Sequence, residues 1–141
     1  MEPASTQPAA GPGLSFRSAR DTLDELARLP SDWDSYGAAA PTAVAISAAH
    51  GLLASIAERW VHLTDEHALP WAIAPLADGG VQLEWRGPGG AVEVEVDPDG
   101  RFDYVMEPGA GTGDRAIQGD GVPAQEVLAR LTTVVSLGEA S

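Results

Sequence analysis

Four short alternations of apolar and polar residues occupy positions 71–76, 81–86, 91–97 and 101–106, separated by glycine-rich turns. No other feature of the chain constrains its fold so tightly. A period of two is the signature of a half-buried strand. In the second segment Val81, Leu83 and Trp85 fall on one side, and Gln82, Glu84 and Arg86 on the other. The third sets Val92, Val94 and Val96 against Glu93, Glu95 and Asp97. The fourth sets Phe102, Tyr104 and Met106 against Arg101, Asp103 and Val105.

The turns predict how these segments pair. Reversal at Gly87-Pro88-Gly89-Gly90 places Trp85 opposite Val92, Leu83 opposite Val94 and Val81 opposite Val96. Asp97-Pro98-Asp99-Gly100-Arg101 suits a type I turn with Gly100 in the left-handed region. It places Tyr104 opposite Val94 and Phe102 opposite Val96. Asp78-Gly79-Gly80 closes the first hairpin, with Trp71 and Ile73 expected inward. Every apolar side chain then lands on one face, and a slip of one residue would reverse that. The same pairing sets Glu84 across from Glu93, Gln82 across from Glu95, and Glu95 beside Asp103. Directly opposed like charges are unfavourable. An acidic face built this way either keeps a small sheet soluble or meets a cationic partner.

Three amphipathic helices supply the rest of the core. Leu14 to Leu29 carries Phe16, Ala19, Leu23 and Leu26 on one face, with Ser15 or Ser18 as N-cap and Pro30 as stop. Thr42 caps a second helix over about 43–63, with Ile46, Ala49, Leu53, Ile56 and Trp60 along one side, widened by Leu52 and Leu63. His50 sits at the edge of that stripe and reads as a packing residue. Pro123 opens a last helix over about 123–136, whose buried side is Val127, Leu131, Val134 and Val135 with Leu128 beside them. Helices segregated from strands predict an α+β fold: a four-stranded antiparallel meander with two N-terminal helices and one C-terminal helix on one face. Residues 1–13, rich in Pro, Ala, Gly and Ser, are expected to be a disordered tail. Residues 14–137 are expected to form a single domain, with a flexible loop at 107–121.

Composition bounds the chemistry. The 141 residues include 8 basic and 21 acidic side chains, a formal charge of −13. Nucleic-acid binding depends on neutralising phosphates with Lys and Arg, so nucleic acid is not an expected partner, and neither is an anionic membrane surface. A basic protein is. Cysteine, lysine and asparagine are all absent. That removes disulfides, thiolate nucleophiles, Cys-ligated zinc, the Walker phosphate site and Schiff-base chemistry. The missing Lys and Asn, with abundant Ala, Gly and Arg, also fit the codon usage of a GC-rich bacterial genome. There is neither a signal peptide pattern nor an apolar run of 18 residues, so the cytoplasm is the expected location.

Several constellations bear on possible chemistry. Ser31-Asp32-Trp33-Asp34-Ser35-Tyr36-Gly37-Ala38 alternates aromatics with carboxylates. Such a loop can be a platform on which Trp33, Asp34 and Tyr36 hold a sugar or a cation. The favoured reading is a plug, with Trp33 and Tyr36 capping the open end of the core and Asp34 bonding nearby backbone amides. His62 and His67 with Asp65 and Glu66 could suggest a metal, but five residues apart two histidines do not share a helical face. Gly109, Gly111 and Gly113 lack the lysine and the strand-to-helix context of a phosphate cradle. Asp97-Pro98-Asp99-Gly100 with Asp103 and Glu107 faintly suggests a calcium loop, yet strands flank it and the turn reading prevails. Glu84 with Glu93 could be an acid–base pair or a divalent-cation site, but acid–base work needs one carboxyl in an apolar pocket, which an open sheet face does not offer. No metal, cofactor or catalytic residue is expected.

Leu29-Pro30-x-x-Trp33-Asp34-x-Tyr36-Gly37-Ala38-x-x-Pro41, followed by Pro75-x-x-Asp78-Gly79-Gly80-Val81-Gln82-Leu83-Glu84-Trp85, resembles a set of small bacterial proteins of unassigned function. Those proteins carry a Trp-Asp-Gly-Tyr-Gly-Ala-like loop and an Asp-Gly-Gly-Val-x-Leu-Glu-Trp-like strand. The resemblance covers about residues 23–105, and Ser35 stands where the loop often has glycine. It implies no activity, cofactor or catalytic residue. The expectation drawn from the residues is a non-enzymatic, acidic protein-binding module, antitoxin-, immunity- or adaptor-like. It would engage a basic partner through Glu84, Glu93, Glu95 and Asp103. The alternative is a small-ligand-binding or hydrolytic domain with its site between the Trp33/Tyr36 loop and the sheet edge. A homodimer through an edge strand is a third arrangement the sequence allows.

Overall fold

The computed structural model describes residues 16–59, 69–87, 89–109 and 116–136. The expected N-terminal tail, the Ser15 cap, Trp60, Leu63 and the His62–His67 segment lie outside them, as do positions 110–115 of the glycine-rich connection. The elements run α1 (Phe16–Leu26), α2 (Ala43–Arg59), β1 (Ala72–Pro75), β2 (Val81–Gly87), β3 (Gly90–Val96), β4 (Phe102–Pro108), β5 (Ile117–Val122) and α3 (Ala124–Ser136). The fold is α+β. The sheet is an antiparallel meander in the order β1-β2-β3-β4-β5.

The pairing follows the alternation. Val81, Leu83 and Trp85 face Val96, Val94 and Val92, and β4 adds Phe102, Tyr104 and Met106 to the same rows. Nearly all of these side chains are buried, with Phe102 packed partly buried against them. They form one core with Ala19 and Leu23 of α1, Ala49, Leu53 and Ile56 of α2, and Val127, Leu131 and Val134 of α3. α3 lies across β2, β3 and β4, α2 meets β2 and β3, and α1 packs on α2 and β1. The apolar stripes of the helices and the apolar face of the sheet therefore cover one another, and burial of that combined surface drives the fold.

Local chemistry holds the corners. Asp97 Oδ1 accepts hydrogen bonds from the Asp99 and Arg101 amides, both at 2.9 Å. Gly100 takes φ +89°, the left-handed conformation the turn requires. Thr42 caps α2 as expected: its Oγ1 accepts from the Ala45 amide at 3.0 Å and donates to the Pro98 carbonyl at 2.7 Å. One side chain thus joins the start of α2 to the β3–β4 turn.

Two expectations are corrected. The sheet has five strands, not four, because Ile117–Val122, expected within a flexible loop at 107–121, pairs with β4. Its sequence reads as a loop because it contains two glycines, but packing requires one of them. A Cβ on Gly119 would lie 2.5 Å from Cε1 of Tyr104, so only glycine lets β5 approach the ring. The second correction concerns Trp71, expected inward. It is 41% exposed, with the Arg86 guanidinium 3.7 Å above its ring, while Ile73 does pack against the core. The strand begins only at Ala72, so Trp71 sits at the rim, where the cation covers it.

Candidate functional site

The outer face of the sheet is where the alternation sends its polar residues. Glu84 faces Glu93, Gln82 faces Glu95, and Glu95 faces Asp103. Glu93 and Glu95 are exposed and Asp103 is half-buried. Asp103 also serves the backbone, since its Oδ1 accepts the Gly121 amide at 2.7 Å, where the strand takes φ +61°. That bond holds the irregular register between β4 and β5.

Crowding has an electrostatic consequence. Partial burial, then the negative charges of Glu93, Asp103 and Asp78, push the Glu95 carboxyl above its ordinary value. Glu84 has a cation beside it. Its Oε2 accepts from Nε of Arg86 at 2.8 Å, so its charge is balanced within its own strand. Of the four expected contact residues, the sheet brings Glu93, Glu95 and Asp103 together with no ion pair to any of them among the described residues, and sets Arg86 against Glu84.

Two shallow depressions mark this face. Glu84, Ala91, Val92, Glu93, Val105 and Glu107 line one of about 170 Å³. Glu93, Glu95, Asp103, Val105, Gln118 and Asp120 contribute to a second of about 140 Å³. Glu93 and Val105 belong to both, and Val105 is 40% exposed. Small-molecule sites usually enclose roughly 300–1,000 Å³, so each hollow has the scale of a side chain. The sequence points to Glu107 only within a calcium-like loop, not on this face, and does not point to Asp120. Glu107 has the strand parity of Asp103 and Val105, a usable signal, whereas Asp120 belongs to the strand that reads as a loop.

The Trp33–Tyr36 loop divides its aromatics. Trp33 is half-buried, and its Nε1 donates to the Ala39 carbonyl at 2.9 Å. Asp34 Oδ1 accepts from the Tyr36 and Ala38 amides at 2.8 and 3.1 Å, the amide-binding role expected of it. Asp32 Oδ1 accepts from the Gly37 amide at 2.7 Å. Tyr36 does not plug the core, however: it is 91% exposed. Positive φ at Ser35 and Gly37, on either side of it, turns the backbone so that its ring leaves the body of the protein. Hydrogen bonds from Ala39 and Thr42 to Ala77 and Gly79 tie the loop to the β1–β2 turn, while Glu84 lies farther along β2, opposite Ala72. The hollow containing Glu84 includes neither aromatic.

Elsewhere, His50 joins the helices through Asp24 at 3.1 Å, in keeping with a packing role. Among the described residues no group of three or more His, Asp or Glu side chains is arranged to hold a metal ion, and no helix is long and apolar enough to cross a membrane. No protein-family model, no curated protein and no solved structure matches this chain.

Proposed function

We propose that the protein is a non-enzymatic binding module that engages a basic protein partner through the outer face of its sheet, in an antitoxin-, immunity- or adaptor-like role. The observation that carries this reading is the juxtaposition of Glu93, Glu95 and Asp103 across β3 and β4, with the Glu95 carboxyl raised above its ordinary pKa by partial burial and then by these neighbours. Like-charge neighbours of this kind cost stability, by a few tenths to about 1 kcal/mol per pair. A cationic partner would reverse the sign of that interaction. The hollows on either side of Val105 suit long basic side chains, whose methylene stems can lie on Val105 and Ala91 while their charged ends reach the carboxylates. Association through exposed charges weakens with salt, because the screening length shrinks from about 10 Å at 0.1 M to about 3 Å at 1 M.

The test is a pull-down from the native host at low and high salt, with wild type and a Glu93→Gln/Glu95→Gln variant. The proposal expects a basic protein retained by wild type at low salt, released at high salt and lost from the variant. Equal retention by the variant, with its fold intact by circular dichroism, would reject the sheet face as the contact.

A further inference from the structure

We infer that Tyr36 is a preorganised contact residue, the aromatic tip that a basic protein partner engages outside the sheet face. Three features of the loop point this way. First, the ring is 91% exposed, and the only hydrogen bond Tyr36 makes among the described residues is through its backbone amide, to Asp34. The side chain therefore contributes nothing evident to the fold.

Second, the loop is built to hold that side chain out. Asp32 and Ser35 take φ +66° and +67°, a region that non-glycine residues occupy at a cost, and Gly37 follows at +86°. Backbone strain of this kind persists only where the surroundings enforce it. Here the enforcement is explicit. Two carboxylates bind three backbone amides, the Asp32 amide donates to the Ala38 carbonyl at 2.7 Å, and the Trp33 indole staples the exit of the loop. An aromatic presented on a rigid backbone loses little freedom on binding, which is why tyrosine is common among energetically dominant interface residues.

Third, the flanking charges define the partner. Asp32 and Asp34, four and two positions before Tyr36, bind backbone amides through Oδ1, and among the described residues no hydrogen bond engages either Oδ2. An arginine or lysine of the partner can stack on the Tyr36 face and meet one of these oxygens. From the proposed function this inference takes only the partner's positive charge. It does not require the sheet face to be the contact.

The experiment uses the full chain with a photo-crosslinking benzoylphenylalanine at position 36, and at Val44 as control, which is 55% exposed. Both are irradiated in cells of the native host, and adducts are identified by mass spectrometry. The partner so found is purified, and its affinity is measured for wild type, Tyr36→Ala, Tyr36→Phe and Glu93→Gln/Glu95→Gln. The inference expects one discrete adduct with a basic protein at 36 and none at 44. It expects about 30-fold weaker binding by Tyr36→Ala, the threshold of a dominant interface residue, and most of the affinity kept by Tyr36→Phe. No adduct at 36, equal adducts at both positions, or full affinity in Tyr36→Ala overturns it. Loss with Tyr36→Ala but not with Glu93→Gln/Glu95→Gln upholds Tyr36 and rejects the sheet face. The opposite pattern upholds the sheet face and rejects Tyr36.

Discussion

The two faces of one sheet are made by the same strands, yet they obey opposite rules. On the inner face the rows are apolar and almost all buried beneath the helices, and a register slip of one residue would turn them out to solvent. On the outer face the same register forces carboxylates together, and partial burial followed by the charges of Glu93, Asp103 and Asp78 disfavours the ionised form of Glu95. Residues one position apart therefore make contributions of opposite sign. The comparison separates what holds the fold from what the fold displays, and it marks the outer face as a surface not tuned for stability.

The sharpest way to break this contrast is on the inner side. Trp85→Ala removes the largest fully buried side chain and should cost about 3–5 kcal/mol in chemical denaturation. A loss under 1 kcal/mol would mean that the core is not where the register places it. A smaller effect is expected at Tyr104, which is 2% exposed. Its hydroxyl donates to Glu126 Oε2 and accepts from Arg130 Nε, each at 2.9 Å, and so links β4 to α3. Tyr104→Phe keeps the ring and removes both bonds, for an expected cost of about 1–2 kcal/mol. An unchanged denaturation midpoint would show that water replaces the link freely.

Much of the inner face was legible beforehand, and for a physical reason. Period-two alternation and turn chemistry act locally, so the sequence alone pairs Val81 to Tyr104. β5 was not legible, because Gly119 and Gly121 carry the composition of a loop. Gly119 is required by a ring 15 positions earlier in the chain, and Gly121 by a kink whose amide Asp103 captures. The candidate site divides in the same way. The row of Glu93, Glu95 and Asp103 follows from register alone. Glu84's pairing with Arg86 does not, since two neighbours on one strand face can equally point apart. The outward turn of Tyr36 depends on the backbone angles of Ser35 and Gly37, on which the aromatic pattern is silent.

The smallest predicted effect lies on the outer face and depends on pH. The folded-state pKa of Glu95 lies above the ordinary value of 4.5, so the folded chain holds that proton more tightly than the unfolded chain. Stability from this group therefore falls as pH rises from the ordinary value through the raised one. Glu95→Gln should be more stable than wild type at pH 7, by a few tenths of a kcal/mol, with the advantage fading as the pH drops below 4.5. Parallel denaturation curves across that range check it, and an advantage that grows in acid would contradict the crowding.

The claim beneath all of this is that the outer carboxylates destabilise the fold by their arrangement and not merely by their number. Denaturation at pH 7 of Glu93→Gln/Glu95→Gln, beside Asp21→Asn/Glu25→Gln on the exposed side of α1, tests it most directly, since each variant removes two negative charges. The sheet variant should gain about 1 kcal/mol and the helix variant less than half of that. Equal gains, or none from the sheet variant, would reduce the face to ordinary solvated surface.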